Sequence, residues 1–89
     1  MQKTGADLDR LADLLEQHYH WPADYPFKFI VPRQQVARLS DLFDSSAMTF
    51  KESRTGKYVS VSVTLMMNST DSVLAIYRQA AEIEGLIAL

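Results

Sequence analysis

His18-Tyr19-His20, with Asp24 four residues beyond, is the first place in the chain where side chains suited to chemistry crowd together. A metal needs its ligands on one side, but residues two apart in a helix do not share a face. With no cysteine and no third histidine in the sequence, a tetrahedral set stays incomplete. Asp9, Asp13 and Glu16 recur on one side of the same segment, and nothing there would bury and perturb a carboxylate, so they read as a solvated acidic face. Serines are plentiful, yet none stands beside a base, because both histidines fall within residues 1–20. The expectation is no catalytic residue, no metal, no cofactor and no enzyme.

Two other groupings have binding rather than catalytic character. Lys51, Arg54 and Lys57 surround the glycine of Ser53-Arg54-Thr55-Gly56, and Arg54, Gly56 and Lys57 could contact a phosphate or carboxylate there through cations and turn amides. A lone Gly-Lys pair falls short of a phosphate-binding loop, which needs a longer glycine-rich turn running into a helix, and lysines also serve to blunt a strand edge. The second grouping is Lys28 with Tyr58, Ser60 and Ser62, polar positions that alternate with apolar ones and so point to one face of a sheet. That face is either simply solvated, as one side of an antiparallel sheet often is, or it binds something. Ile30 and Met66 on the same face favour contact with an apolar surface, such as that of the N-terminal helix.

The elements that must position these residues follow from periodicity. Leu8, Leu11, Ala12, Leu15 and Tyr19 mark an amphipathic helix, ended at Trp21-Pro22 and Tyr25-Pro26 by the bias of pre-proline residues against helix. Phe27, Phe29 and Val31 alternate with Lys28 and Ile30 as a strand closed by Pro32. Val36, Leu39, Leu42 and Phe43 define a helix over 33–46, ended by Ser45 and Ser46. Met48 and Phe50 belong to a second strand, and Val59, Val61, Val63, Leu65 and Met67 to a long third one. Asn68-Ser69-Thr70-Asp71 offers a helix cap, Val73, Ile76, Tyr77, Ala80 and Ile83 the buried stripe of the helix it starts, and Gly85 its left-handed C′ residue. Leu86 to Leu89 form a last strand. The order predicts an α+β, ferredoxin-like βαββαβ fold: a four-stranded antiparallel sheet with two helices on one face, plus the N-terminal helix. Residues 1–20 are an appendage and 21–89 the domain.

Composition narrows the function classes further. Eighty-nine residues, 47% of them hydrophobic, make one small core that a second subunit would usefully extend. The net charge of −2 argues against a nucleic-acid or membrane surface, although residues 26–60 carry six cations against three acids. RNA-recognition folds share this topology, but Tyr58 alone does not make a stacking platform. No run of apolar residues is long enough for a membrane span, and the cysteine-free composition fits the cytoplasm.

Tyr25-Pro26-Phe27-Lys28, the run Ser53-Arg54-Thr55-Gly56-Lys57-Tyr58-Val59-Ser60-Val61 and Ala75-Ile76-Tyr77-Arg78 resemble the YbeD-like family, small bacterial proteins of unknown function also called proposed lipoate regulatory proteins. The resemblance spans about residues 21–89. It implies a fold similar to ACT domains, which bind amino acids and control enzymes through domain pairing. Pro32 departs from the glycine that relatives tend to carry there, which ACT domains often use for close approach to an amino-acid ligand, and a proline removes the amide donor and fixes φ. The expected function is a non-enzymatic regulatory or protein-interaction module, dimeric or paired with another protein. The alternative is an ACT-like sensor of a small anionic metabolite, amino-acid or lipoate-related.

Overall fold

The computed structural model of the chain describes residues 5–43 and 47–89. It contains α1 (Gly5–His18), β1 (Ala23–Pro32), a 3-10 turn (Arg33–Gln35), α2 (Val36–Ser40), β2 (Met48–Glu52), β3 (Tyr58–Met67), α3 (Thr70–Ala80) and β4 (Ile87–Ala88). The strands form one antiparallel sheet in the order β2-β3-β1-β4, the arrangement expected of the ferredoxin-like fold.

Alternation along β1 and β3 sets the two faces of the sheet. Tyr25, Phe27, Phe29 and Val31 are buried and lie opposite Leu65, Val63, Val61 and Val59 of β3 on the helix side. Phe27 and Phe29 stack at 6.3 Å between ring centres, Phe43 approaches both, and Tyr77 of α3 meets Tyr25, Phe27 and Phe29. This aromatic cluster is the centre of the core. α3 begins with a capping box in which Ser69 and Ser72 each bond the other's backbone amide, and Asp71 sits in the first turn, where the helix dipole favours it.

Tyr25 and Tyr77 bring their hydroxyls to 3.0 Å inside this cluster. Burial, then the bond to Tyr25, pushes the Tyr77 phenol well above its ordinary value of 10.0, and burial also raises that of Tyr25. A phenol whose folded pKa is raised keeps its proton where the unfolded chain has lost it, so the stabilisation is complete below about pH 10 and declines as pH rises further. Denaturation midpoints measured from about pH 8 to about pH 11 should therefore fall more steeply in the wild type than in a Tyr25→Phe/Tyr77→Phe protein, which has no phenol at either position to titrate. Equal slopes would show that the pair carries no such linkage.

Four expectations from the sequence are corrected. First, β1 starts at Ala23, so Pro26 lies inside a strand instead of ending a helix. β4 covers only Phe29 and Ile30, which leaves the β1 edge at Pro26 free, and a missing amide costs nothing on a free edge. Second, the helix expected over 33–46 is a 3-10 turn and five α-helical residues. No side chain caps either start, and Leu42 and Phe43 are carried on by tight bonds to Leu39 and Ser40. Its expected end at Ser45 and Ser46 lies outside the described residues. Third, Gly85 has φ +79 but is no C′ residue, because α3 stops at Ala80 and a turn intervenes.

The fourth correction is where the N-terminal helix docks. It lies against α3 on the helix side and leaves the open sheet face uncovered: Leu8 and Leu15 are buried in the same core cluster, while Met66 is 61% exposed. The Trp21 indole donates to the Thr70 hydroxyl at 3.0 Å, and that hydroxyl donates to the Glu16 carboxylate, so a chain of two bonds joins α1 to the start of α3. Trp21, which precedes Pro22 through a cis peptide bond, also stacks on Tyr19.

Candidate functional site: the open sheet face and the hairpin

Lys28, Tyr58, Ser60 and Ser62 all lie on the face of the sheet away from the helices. Lys28 sits directly opposite Ser62, Ile30 opposite Ser60 and Pro32 opposite Tyr58. Lys28, Ser60 and Ser62 thus form one contiguous polar patch, extended across β2 by Thr49 opposite Ser62 and Lys51 opposite Ser60. Tyr58 lies one row further on, separated from Lys28 by Ile30 and Ser60. On the other side of β1, Ile87 pairs with Ile30, and Leu89, 63% exposed, donates its amide to the Lys28 carbonyl. The patch therefore has an apolar border made of Ile30, Ile87 and Leu89. Among the described residues no internal hydrogen bond or ion pair engages the side chains of Lys28, Tyr58, Ser60 or Ser62. The β1 and β3 backbones that carry them are fixed from below by Phe27, Phe29, Val61 and Val63.

The hairpin is held as its sequence predicts. Gly56 takes φ +75 and donates to the Ser53 carbonyl, and the Tyr58 amide is received by the Ser53 hydroxyl. Its tip leans on the chain just after β1, where the Arg33 amide donates to the Lys57 carbonyl at 3.0 Å. Between them lies a hollow of about 410 Å³ lined by Pro32, Arg33, Gln34, Gly56, Lys57 and Tyr58. Gly56 and Lys57 of the expected anion contact are in this hollow, whereas Arg54 is not among its walls. The cation that joins them is Arg33, which sequence reasoning missed. Its one signal is its position directly after the proline that closes β1, which turns it back towards the hairpin. Arg33 is already committed to Glu52, with the guanidinium 2.6 Å from the carboxylate, so Lys57 is the cation of the hollow left without an ionic partner among the described residues. That is thin provision for an anion.

A second hollow, about 430 Å³, opens beside the start of α3 between Ala12, Glu16, Trp21, Ser69, Thr70 and Asp71. Thr70 has a carboxylate neighbour there, but its hydroxyl is buried and also accepts from Trp21, so it joins helices and is not a free nucleophile. Among the described residues no group of three or more His, Cys, Asp or Glu gathers to hold a metal ion. No described helix is long and apolar enough to cross a membrane.

A family model described as a protein of unknown function, DUF493, matches residues 16–89, which includes the whole sheet, the hairpin and α3. The chain belongs to that family. In this DUF493 protein the matched region begins inside α1, at the residue whose carboxylate receives Thr70, and so takes in that bond and the open face but not Leu8 and Leu15, the buried residues of α1. No curated protein and no solved structure matches the chain.

Proposed function

We propose that this DUF493 protein is a small non-enzymatic regulatory or interaction module of the cytoplasm that captures a protein partner on its open sheet face, in the manner of the YbeD-like regulatory proteins its sequence resembles. The observation that carries the reading is the patch itself. Lys28 and Ser60 stand exposed and Ser62 half-buried, all three without internal side-chain partners among the described residues, on the two central strands next to Ile30, Ile87 and Leu89. A sheet whose two central strands are paired to each other along their whole length, and which presents one cation, two hydroxyls and an apolar border, suits a partner surface with a carboxylate beside a small apolar group, and Tyr58 adds an amphipathic ring at the margin. A metabolite sensor is the weaker reading, because the hollow at the hairpin has one of its two cations neutralised by Glu52.

Tyr58→Ala and Ser60→Ala should each weaken partner capture from the native cell by severalfold while leaving the melting temperature within a few degrees of wild type, since both side chains are exposed and structurally unengaged. Recovery of the same partners in the same yield by both variants would show that the open face is not the working surface.

A further inference from the structure

We propose that the outer edge of β2 pairs with the same edge of a second copy of this chain, across a two-fold axis at Phe50, to make one continuous eight-stranded sheet. The inference rests on the reading of the chain as an interaction module and names one of its partners.

The two outer edges of the sheet differ. On the β1 side, β4 covers only Phe29 and Ile30, and the rest of that edge carries Pro26 and Pro32 at positions whose backbone turns outward, as the bond from Leu89 to the Lys28 carbonyl shows for this alternating set. Prolines cannot donate to an added strand. β2 has no proline or glycine along Met48–Glu52. The Ser53 amide donates to the Tyr58 carbonyl at 2.9 Å, so Ser53, Lys51 and Thr49 turn their backbone groups inward to β3, while Met48, Phe50 and Glu52 turn theirs outward. That outward row is a set of strand-pairing groups.

Register follows from parity and charge. With Phe50 opposite Phe50 of the second copy, Met48 faces Glu52 in both directions, giving three hydrogen-bonded pairs that exchange two bonds each. Shifting the axis to Thr49 or to Lys51 leaves two such pairs, and the latter also sets lysine directly opposite lysine. In the Phe50 register Lys51 faces Thr49 and no like charges oppose each other. Glu52, the one carboxylate of the strand, is already neutralised by Arg33.

Side chains supply the second argument. Phe50 lies on the helix side opposite Val61, yet is 45% exposed, and it lines a groove of about 290 Å³ with Val36, Val59, Arg33 and Glu52. The two-fold places each Phe50 ring over the other copy's ring and groove, which buries the exposed apolar residue of this edge. The open faces of the two copies become one surface, with Lys51 and Thr49 alternating across the seam. A five-residue edge and one aromatic pair make an interface at the small end of the known range, below roughly 1,200 Å² in all, so a reversible dimer is expected.

The chain is cysteine-free, which makes a cross-linking test clean. Sedimentation of the wild type should show a mass rising with concentration from the 10.1 kDa of the chain towards twice that value, and a folded Phe50→Lys protein should stay at the monomer mass. Under mild oxidation a mixture of the Thr49→Cys and Lys51→Cys proteins should form a covalent dimer, and neither should do so alone. A dimer from Thr49→Cys alone, or from Lys51→Cys alone, would overturn the Phe50 register. A wild type that stays monomeric at every concentration, or a Phe50→Lys protein that still dimerises, would overturn the edge interface itself, whatever other strand that edge then accepts. Partner capture by Phe50→Lys separates this from the open-face reading: a monomer that still captures its partner leaves that reading standing.

Discussion

Replacing Phe27 with alanine is expected to destabilise the protein by about 3–5 kcal/mol, the range for deleting a fully buried aromatic ring. Phe27 has no exposed surface, lies at the centre of β1, and meets the rings of Tyr25, Phe29, Phe43 and Tyr77, so its loss leaves a void bounded by strand, α3 and the end of the α2 segment together. Such a site closes poorly, because a β strand paired on one side and capped by helices on its face has little freedom to move inward. A chain of this length has a total stability on the order of 4–13 kcal/mol, so the variant should melt on the order of 20 °C lower, or fail to fold. Leu14→Ala, at a position 46% exposed, is the matched control and should change stability by about 0.5 kcal/mol or less. Phe27 also has a bearing on the candidate site. It and Lys28 are consecutive residues of one strand, and seating the ring is what turns the lysine outward. Equal melting of the Phe27→Ala and Leu14→Ala proteins would mean that the cluster is not the keystone of the core.

What was legible in the sequence, and what was not, follows from the range of the interactions involved. The long alternation of β3 and the stripe of α3 were readable because each element buries one face, and burial imprints its own period on neighbouring residues. The facing of Lys28, Ser60 and Ser62 was readable for the same reason, since alternation along two adjacent strands assigns their side. The start of β1 was not. Pro26 is a breaker by local rules, and only the shortness of β4, more than sixty positions away, leaves the edge on which it is tolerated. The amphipathic stripe of α1 said that the helix must dock but not where. That choice is made by Trp21 and Glu16 meeting Thr70, separated from it by 49 and 54 positions. Arg33 belongs to the hairpin hollow through its pairing with Glu52 and its amide bond to Lys57, contacts that no local pattern announces.

The Gly85→Ala protein should be destabilised by about 2–4 kcal/mol through two separable causes. Gly85 holds φ +79, where an L side chain costs about 1–2 kcal/mol. A Cβ there would also stand 2.7 Å from Cγ and 3.3 Å from Cδ of Pro32, too close for either chain segment to ignore. The second cause ties the two positions together: the Pro32 ring fills the space that a side chain at residue 85 would need. The two residues are therefore coupled, and a double-mutant cycle reads the coupling. Pro32→Ala removes both crowding atoms, so adding it to Gly85→Ala should recover the part of the loss due to contact, on the order of 1–2 kcal/mol, and leave the backbone part untouched. Strictly additive losses in the two single variants and the double would show that the ring and the glycine do not share this space. Because β4 follows Gly85 almost at once and lays Ile87 beside Ile30, the Gly85→Ala protein should also lose part of the apolar border of the open face. Its partner capture should then fall in step with its stability, and rise again with Pro32→Ala.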